Sequence, residues 1–335
     1  MNLKTLEKKL VELNQPGFRL NQIKKAYFDE LKNSWDQVST LSKDLRDNLK
    51  SEIDWDDLTL DKLEQDKKDH SKKALLKTKD NLKIETVLIQ HQDKRRTVCV
   101  SSQAGCPLGC AFCATGQSGF RRNLLAAEIL NQIIFWSRKL KEKNEKITNV
   151  VFMGMGEPLL NLDEVLEAIK LINDKTGLNL AARHISISTV GLIPGINKIK
   201  NFPLQINLAI SLHAPNDRLR DQLIPTNKKY PIQRIFDALD IYLEETNRRV
   251  MVEYLMIDGV NDFQEQAREL VELLAKRKLY YLNLIPYNET DKFKTSSPEK
   301  IKKFTEILSQ NHIPYTLRRR FGSDIAAACG QLAGK

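Results

Sequence analysis

The chain has 335 residues, 41% of them hydrophobic and 29% charged, enough for one large α/β core of about 200–250 residues with a smaller unit beside it. Fifty-three basic residues against 43 acidic ones give a net charge of +10, which favours an anionic partner such as nucleic acid without naming one. No run of about 18 uncharged apolar residues is present, and the first residues are charged and amphipathic, so the sequence reads as cytoplasmic and without a membrane span.

Residues 1–80 read as helices with short breaks. Leu3, Leu6, Leu10 and Leu13 mark a first helix that stops at Gln15-Pro16-Gly17; Ile23, Ala26, Tyr27 and Leu31 mark a second; Ser42 opens a third over 41–49. Residues 51–80 alternate Lys, Asp and Glu and read as a solvated helix and linker. Near residue 82 the pattern turns extended, and Gln92-Asp93-Lys94 supplies the turn of a β-hairpin extension over 81–96. Six apolar strand runs follow, at 97–102, 148–154, 184–190, 205–212, 250–257 and 280–286, with helical patterns between them at 124–140, 162–173, 231–245, 263–276 and 298–310. Asn161 and Glu164 stand at capping-box spacing before the second of these helices, and Ser297-Pro298 opens the last. Six βα repeats predict a parallel sheet, and fewer than eight predict a partial (β/α)6 barrel over 97–320, followed by a short segment at 321–335.

Chemistry in such folds gathers at the carboxyl ends of the strands. There the sequence places Cys106-Pro107-Leu108-Gly109-Cys110-Ala111-Phe112-Cys113, then Gly154-Met155-Gly156-Glu157-Pro158, Ser186-Ile187-Ser188-Thr189, Ser211-Leu212-His213 and Pro286-Tyr287-Asn288. Five cysteines, three of them within eight residues, exclude a disulfide scaffold and raise metal or thiol chemistry. Three thiolates on one loop suit three corners of a cubane iron–sulfur cluster, whose fourth iron is left for a small molecule. A structural zinc site, which wants four ligands, is the alternative. Lys94-Arg95-Arg96, Arg121-Arg122 and Arg318-Arg319-Arg320 flank the expected rim, in reach of RNA phosphates.

The spacing C-x3-C-x-aromatic-C, with Phe112 as the aromatic, resembles the radical S-adenosylmethionine superfamily. Val98-Cys99-Val100-Ser101-Ser102-Gln103-Ala104-Gly105-Cys106 resembles the RlmN/Cfr family of RNA adenine methyltransferases within it. So do Met153-Gly154-Met155-Gly156-Glu157-Pro158-Leu159, His184-Ile185-Ser186-Ile187-Ser188-Thr189 and Ser211-Leu212-His213, and also Phe321-Gly322 through Cys329-Gly330-Gln331-Leu332. In the helical part Phe18-Arg19 and Leu41-Ser42-Lys43-Asp44-Leu45-Arg46 match as well, so the resemblance spans nearly the whole chain.

The resemblance implies a 4Fe–4S cluster on Cys106, Cys110 and Cys113, and two molecules of S-adenosylmethionine consumed per turnover. One methylates Cys329; the other is cleaved reductively to a radical that removes hydrogen from that S-methyl group, and the carbon then bonds covalently to adenine. Cys99 is implied to release the product through a transient disulfide with Cys329, and Glu85 to be a proton acceptor, a role that Cys99 itself also fits. Gly156, Glu157, Ser188, Ser211, Leu212, His213 and Asn288 are implied contacts of S-adenosylmethionine, Glu157 pairing with its ammonium. The implied partners are 23S rRNA at the peptidyl-transferase loop, tRNA at the adenine 3′ of the anticodon, and a flavodoxin- or ferredoxin-type electron donor, with the helical N-terminal part as an RNA-docking unit of a monomeric enzyme. Gly-Glu-Pro-Leu in the second motif leans to the RlmN side and carbon-2 methylation. A Cfr-like carbon-8 enzyme and a non-catalytic RNA-binding protein with a structural metal site remain the rivals; the two cysteines beyond the loop argue against the latter.

Overall fold

The computed structural model describes residues 1–275, 277–289 and 292–334. It begins with α1 (Leu3–Glu12), α2 (Phe18–Lys24) and α3 (Lys43–Glu52). Asn2 and Ser42 cap the first and third, each accepting a bond from the backbone amide three residues on. Leu3, Leu6 and Leu10 recur at helical spacing, and that stripe packs with Ile23, Tyr27, Trp35, Leu49 and Trp55 into a small core of its own. The seam with the rest of the chain is partly polar: Arg138 pairs with Asp56 at 2.5 Å, and Asn131 donates to Asp56 at 2.8 Å.

Residues 51–80 correct the sequence reading. Rather than a solvated helix and linker they supply two strands, β1 (Leu58–Gln65) and β2 (Lys72–Thr78), which join β3 (Lys83–Gln90) and β4 (Arg96–Cys99) in an antiparallel ladder. β1 is the outer strand, exposed along most of its length. Its alternating charges are what a free edge carries to discourage pairing with other chains, not the mark of a helix.

Two short strands, β5 (Gln103–Gly105) and β6 (Phe120–Asn123), pair as a ribbon that brackets the cysteine loop and α4 (Ala114–Gln117). The repeating part then runs α5 (Ala126–Lys141), β7 (Asn149–Phe152), α6 (Leu162–Asn173), β8 (Ile185–Thr189), α7 (Ile193–Lys200) and β9 (Asn207–Ser211). It continues through α8 (Asp217–Leu223), α9 (Ile232–Thr246), β10 (Val250–Met256), α10 (Gln264–Leu274), β11 (Tyr280–Pro286), α11 (Pro298–Gln310) and β12 (Tyr315–Leu317). Strands β4, β7, β8, β9, β10, β11 and β12 pair in parallel in that order, and the sheet does not close on itself among the described residues. Six of these are the expected βα strands. The seventh, β12, has one half-buried residue and two exposed ones and so carries no apolar run to announce it.

Ser297 caps α11 as expected, accepting from the Lys300 amide. The capping box expected at α6 does not form. Asn161 instead donates from Nδ2 to the carbonyls of Ser102 and Leu124, both at 2.8 Å, while Glu164 accepts from the Ala126 amide at 2.6 Å. Both side chains tie together loops at the carboxyl ends of the strands, which outweighs a local cap. No helix among the described residues is long and apolar enough to cross a membrane.

Candidate active site at the carboxyl ends of the strands

Cys106, Cys110 and Cys113 line one cavity together with Gly156, Glu157, Ser188, Ser211, His213 and Cys329. Its empty volume, counted out to the open mouth, is about 900 Å³. The loop that carries the three thiols is held at its aromatic residue. The Phe112 ring meets His213 edge-on at 4.8 Å, and its carbonyl accepts from the Tyr287 hydroxyl at 3.0 Å. Burial pushes the Cys106 thiol up to about 12 and raises Cys110 further, with Cys113 and Cys106 adding to the effect at Cys110. The protons are therefore displaced on metal binding and not before it.

Among the described residues no three His, Cys, Asp or Glu side chains gather on one point as a single metal ion requires. A cubane cluster instead spreads its thiolates over separate irons, and three soft donors around one cavity fit that group.

Glu157 is buried beside this loop, and burial raises its carboxyl to about 7. Its Oε1 accepts from the Leu159 amide at 3.0 Å and its Oε2 from the Val190 amide at 3.1 Å. Gly156 precedes it with φ +98, and a Cβ there would stand 2.5 Å from the Gln103 side chain. The close approach lets Gln103 accept the Glu157 amide at 2.9 Å. Burial, with Arg220 nearby, lowers His213 to about 3, so its ring is neutral; Nδ1 accepts from the Leu255 amide at 3.2 Å. Leu212 does not line the cavity. It is fully buried, and its carbonyl accepts from Arg220 Nε at 3.0 Å. Arg220 also reaches the carbonyls of Val190 and Ser211 at 2.6 and 3.1 Å and Asn227 at 2.7 Å, so one buried guanidinium ties the ends of β8 and β9 together.

A second, smaller cavity adjoins the first and is lined by Cys99, Asn288, Arg318 and Cys329. Cys329 is common to both. Burial pushes the Cys99 thiol up to about 12, the neighbouring Cys329 adding to it, while Arg318 works the other way. All five cysteines are free thiols. Asn288 donates weakly from Nδ2 to the Cys329 carbonyl at 3.4 Å, and its buried Oδ1 has no partner among the described residues.

Glu85 lines neither cavity. It is buried under residues 333–334, whose amides donate to Oε2, while Oε1 pairs with Lys73 at 2.9 Å.

Glu253 is the site residue that sequence reasoning missed. It is buried on β10 and lines the larger cavity. Ser188 Oγ, 3.2 Å from Ser211 Oγ, donates to its Oε2 at 2.6 Å, and Arg318 stands 3.8 Å from its Oε1. A lone carboxylate inside the run Val250-Met251-Val252-Glu253-Tyr254-Leu255-Met256 is the signal, since buried acids are rare without a partner.

Most of the basic clusters' arginines have partners within the chain. Arg122 bridges Asp80 and Glu128 at 2.7 and 2.8 Å, Arg96 holds Glu145 at 2.7 Å, and Arg95 holds Asp93 at 2.8 Å. Arg319 donates to Gln92, and Arg320 to Thr295. A further cleft lies at the opposite ends of the strands, against the helical unit, with Lys25, Lys141, Lys146 and Lys175 on its walls. None of the candidate residues faces it.

Residues 100–274 match the radical SAM superfamily. A protein of Carboxydothermus hydrogenoformans named probable dual-specificity RNA methyltransferase RlmN is 45% identical over 328 residues, 97% of this chain and 94% of that protein. The protein of that name from Dictyoglomus thermophilum is also 45% identical, over 95% of this chain and 91% of its own length. A crystal structure of a radical SAM methyltransferase from Sphaerobacter thermophilus superposes with a TM-score of 0.96 at 41% identity, covering 100% of this chain and 98% of that one.

Proposed function

We propose a specific reaction for this chain, which belongs to the RlmN family of radical SAM RNA methyltransferases. A methyl group is carried on Cys329 and delivered to carbon 2 of an adenine, in 23S rRNA and in tRNA. One observation supports this reading above the others: Cys329 stands where two cavities meet, one walled by Cys106, Cys110 and Cys113 and the other holding Cys99. A thiol so placed can take a group on one side and be relieved of it on the other.

Carbon 2 of adenine lies between two ring nitrogens and is electron-poor, so it is no nucleophile towards S-adenosylmethionine. A carrier thiol avoids that difficulty, because a thiolate accepts the methyl group readily. Arg318 faces Cys329, Cys99 and Glu253, which hold its charge firmly. Cys106, Cys110 and Cys113 would hold the 4Fe–4S cluster, which when bound supplies the electron that cleaves S-adenosylmethionine. Glu157 and Gly156 hold the ammonium end of that substrate, with Ser188, Ser211 and Asn288 offering hydroxyl and amide groups along its length. His213, neutral and engaged with the Leu255 amide, keeps the rim in shape.

Once the carrier carbon is bonded to the ring, the adduct would return one electron to the cluster held by Cys106, Cys110 and Cys113, and a proton leaves carbon 2. Cys99 then attacks the sulfur of Cys329 as a thiolate, the sulfur–carbon bond breaks with its electron pair passing to the ring-bound carbon, that carbon takes up a proton to become the methyl group, and a Cys99–Cys329 disulfide remains for an external reductant to reopen. Cys99 is placed for this attack because it shares a cavity with Cys329, whereas Glu85 lines neither cavity and both its oxygens are engaged elsewhere. A flavodoxin- or ferredoxin-type carrier would deliver the electrons. Peptide mass spectrometry after incubating the reconstituted enzyme with S-adenosylmethionine tests the carrier role. The expected result is one added methyl on Cys329; unmodified thiol alone would refute it.

A further inference from the structure

The segment that bears Cys329 is held on both flanks by the antiparallel strands ahead of the parallel sheet. Upstream, the Gly322 amide donates to Asp69 Oδ2 at 2.7 Å and the Asp324 amide to Asp66 Oδ2 at 3.1 Å. Lys68 pairs with the Asp324 carboxylate at 3.0 Å. Lys73 Nζ reaches the Ala326 carbonyl at 3.5 Å. Downstream, the amides of Ala333 and Gly334 both donate to Glu85 Oε2, at 2.7 and 2.9 Å. Glu85 Oε1 takes Lys73 at 2.9 Å, so a single lysine touches both flanks.

The seat is built closely. Gly334 sits at φ +69, where a Cβ would meet the Lys83 carbonyl at 2.9 Å. The Leu332 side chain is buried, and its carbonyl accepts from Thr115 Oγ1 at 2.6 Å. The Gly330 carbonyl accepts from the Ala114 amide at 2.8 Å. Cys329 itself is only lightly held, through the 3.4 Å contact from Asn288.

We propose that β1, β2 and β3 form a clamp that positions the Cys329 segment over the two cavities, and that Glu85, by accepting the amides of Ala333 and Gly334, is its principal positioning residue. The inference rests on the carrier role given to Cys329 above, but the clamp itself is a statement about how the segment is held. Two charge-assisted bonds to one buried carboxylate are strong compared with neutral ones. They fix the chain four and five residues beyond the thiol, which restricts where its sulfur stands. A reacting group must be held to within a fraction of an ångström to be effective, and Cys329 itself has only the weak contact from Asn288, so its position depends on how its flanks are held.

The test is the accessibility of the segment in the full chain, with neither S-adenosylmethionine nor RNA present, so that its outcome does not depend on the methyl-carrier reading. Hydrogen exchange of peptides covering 326–334 and the rate of Cys329 alkylation by N-ethylmaleimide are measured for the parent, Glu85→Ala, Glu85→Gln and Ala333→Pro. Alanine removes the acceptor. Glutamine keeps an oxygen for both amides but cannot serve as a base. Proline removes one donor and leaves the Glu85–Lys73 pair untouched. Glu85→Ala and Ala333→Pro are expected to raise exchange and Cys329 alkylation by about tenfold or more, and Glu85→Gln by about threefold or less, with Cys99 alkylation at the parental rate as a check on the fold. Parental exchange and alkylation in both Glu85→Ala and Ala333→Pro would overturn the clamp, as would a glutamine variant as loose as the alanine one. If the clamp holds while Cys329 is never methylated, the carrier reading fails alone.

Discussion

Replacing Arg220 with methionine should loosen the rim of the larger cavity. The guanidinium is the partner of three buried carbonyls, those of Val190, Ser211 and Leu212, and of the Asn227 side chain, at 2.6 to 3.1 Å. Methionine fills much of the volume and donates nothing. Each acceptor left dry costs about 1 kcal/mol or more, so four cost at least about 4 kcal/mol. Burial already lowers Arg220 to about 10, so removing the charge recovers part of that cost. A net loss of about 3 kcal/mol is expected, and at about 2 °C per kcal/mol for a chain of this size it corresponds to a fall in Tm of roughly 6 °C. Differential scanning fluorimetry reads this directly. The stabilisation conferred by added S-adenosylmethionine should shrink as well, because Ser211 belongs to the affected rim. Arg220→Lys, which keeps one or two of the bonds, should fall between. A fall in Tm below about 2 °C for the methionine variant would refute the view that Arg220 orders the ends of β8 and β9.

Arg122 and Asp80 give an acid-side expectation. Arg122, with Thr78, holds the Asp80 carboxyl well below the usual carboxylate range. A depressed carboxylate contributes stability above its unfolded value, near pH 4, and loses that contribution as pH falls through the folded value. The stability gap between the parent and Arg122→Met should therefore be largest at neutral pH and narrow below about pH 4, while the salt dependence of RNA binding is the same for both, since Arg122 is already paired. His213 runs the other way in charge but in the same direction in pH. Its folded value is depressed to about 3, so the neutral ring supports the fold fully above about pH 6.5 and progressively less as pH falls. Its ring resonances in the metal-free protein should not titrate between pH 5 and 8; a midpoint near 6.5 would refute its burial beside Phe112.

Six of the seven parallel strands were legible because each is an apolar run beside helical patterns, as with Val250-Met251-Val252 and Leu282-Asn283-Leu284. The cysteine loop was legible because its spacing leaves few alternatives. What escaped lies where local pattern and tertiary role diverge. Asp66, Asp69, Lys73 and their neighbours look like a solvated run in sequence, yet they receive residues some 250 positions later, a relation that no local window contains. Asn161 has the spacing of a cap, but two carbonyls from other loops claim its amide. Glu253 is an isolated acid whose partners, Ser188 and Arg318, come from two other strands or their ends. Arg96 and Arg122 stand in basic clusters in the sequence but opposite acids in the fold, at Glu145, Asp80 and Glu128.

Methylation of carbon 2 of an RNA adenine through Cys329 is read out by nucleoside mass spectrometry of 23S rRNA fragments and tRNA treated with the reconstituted enzyme, S-adenosylmethionine and a reductant. 2-Methyladenosine is expected from the parent and none from Cys329→Ala. Formation of 8-methyladenosine alone, or of 2-methyladenosine by the alanine variant, would contradict it.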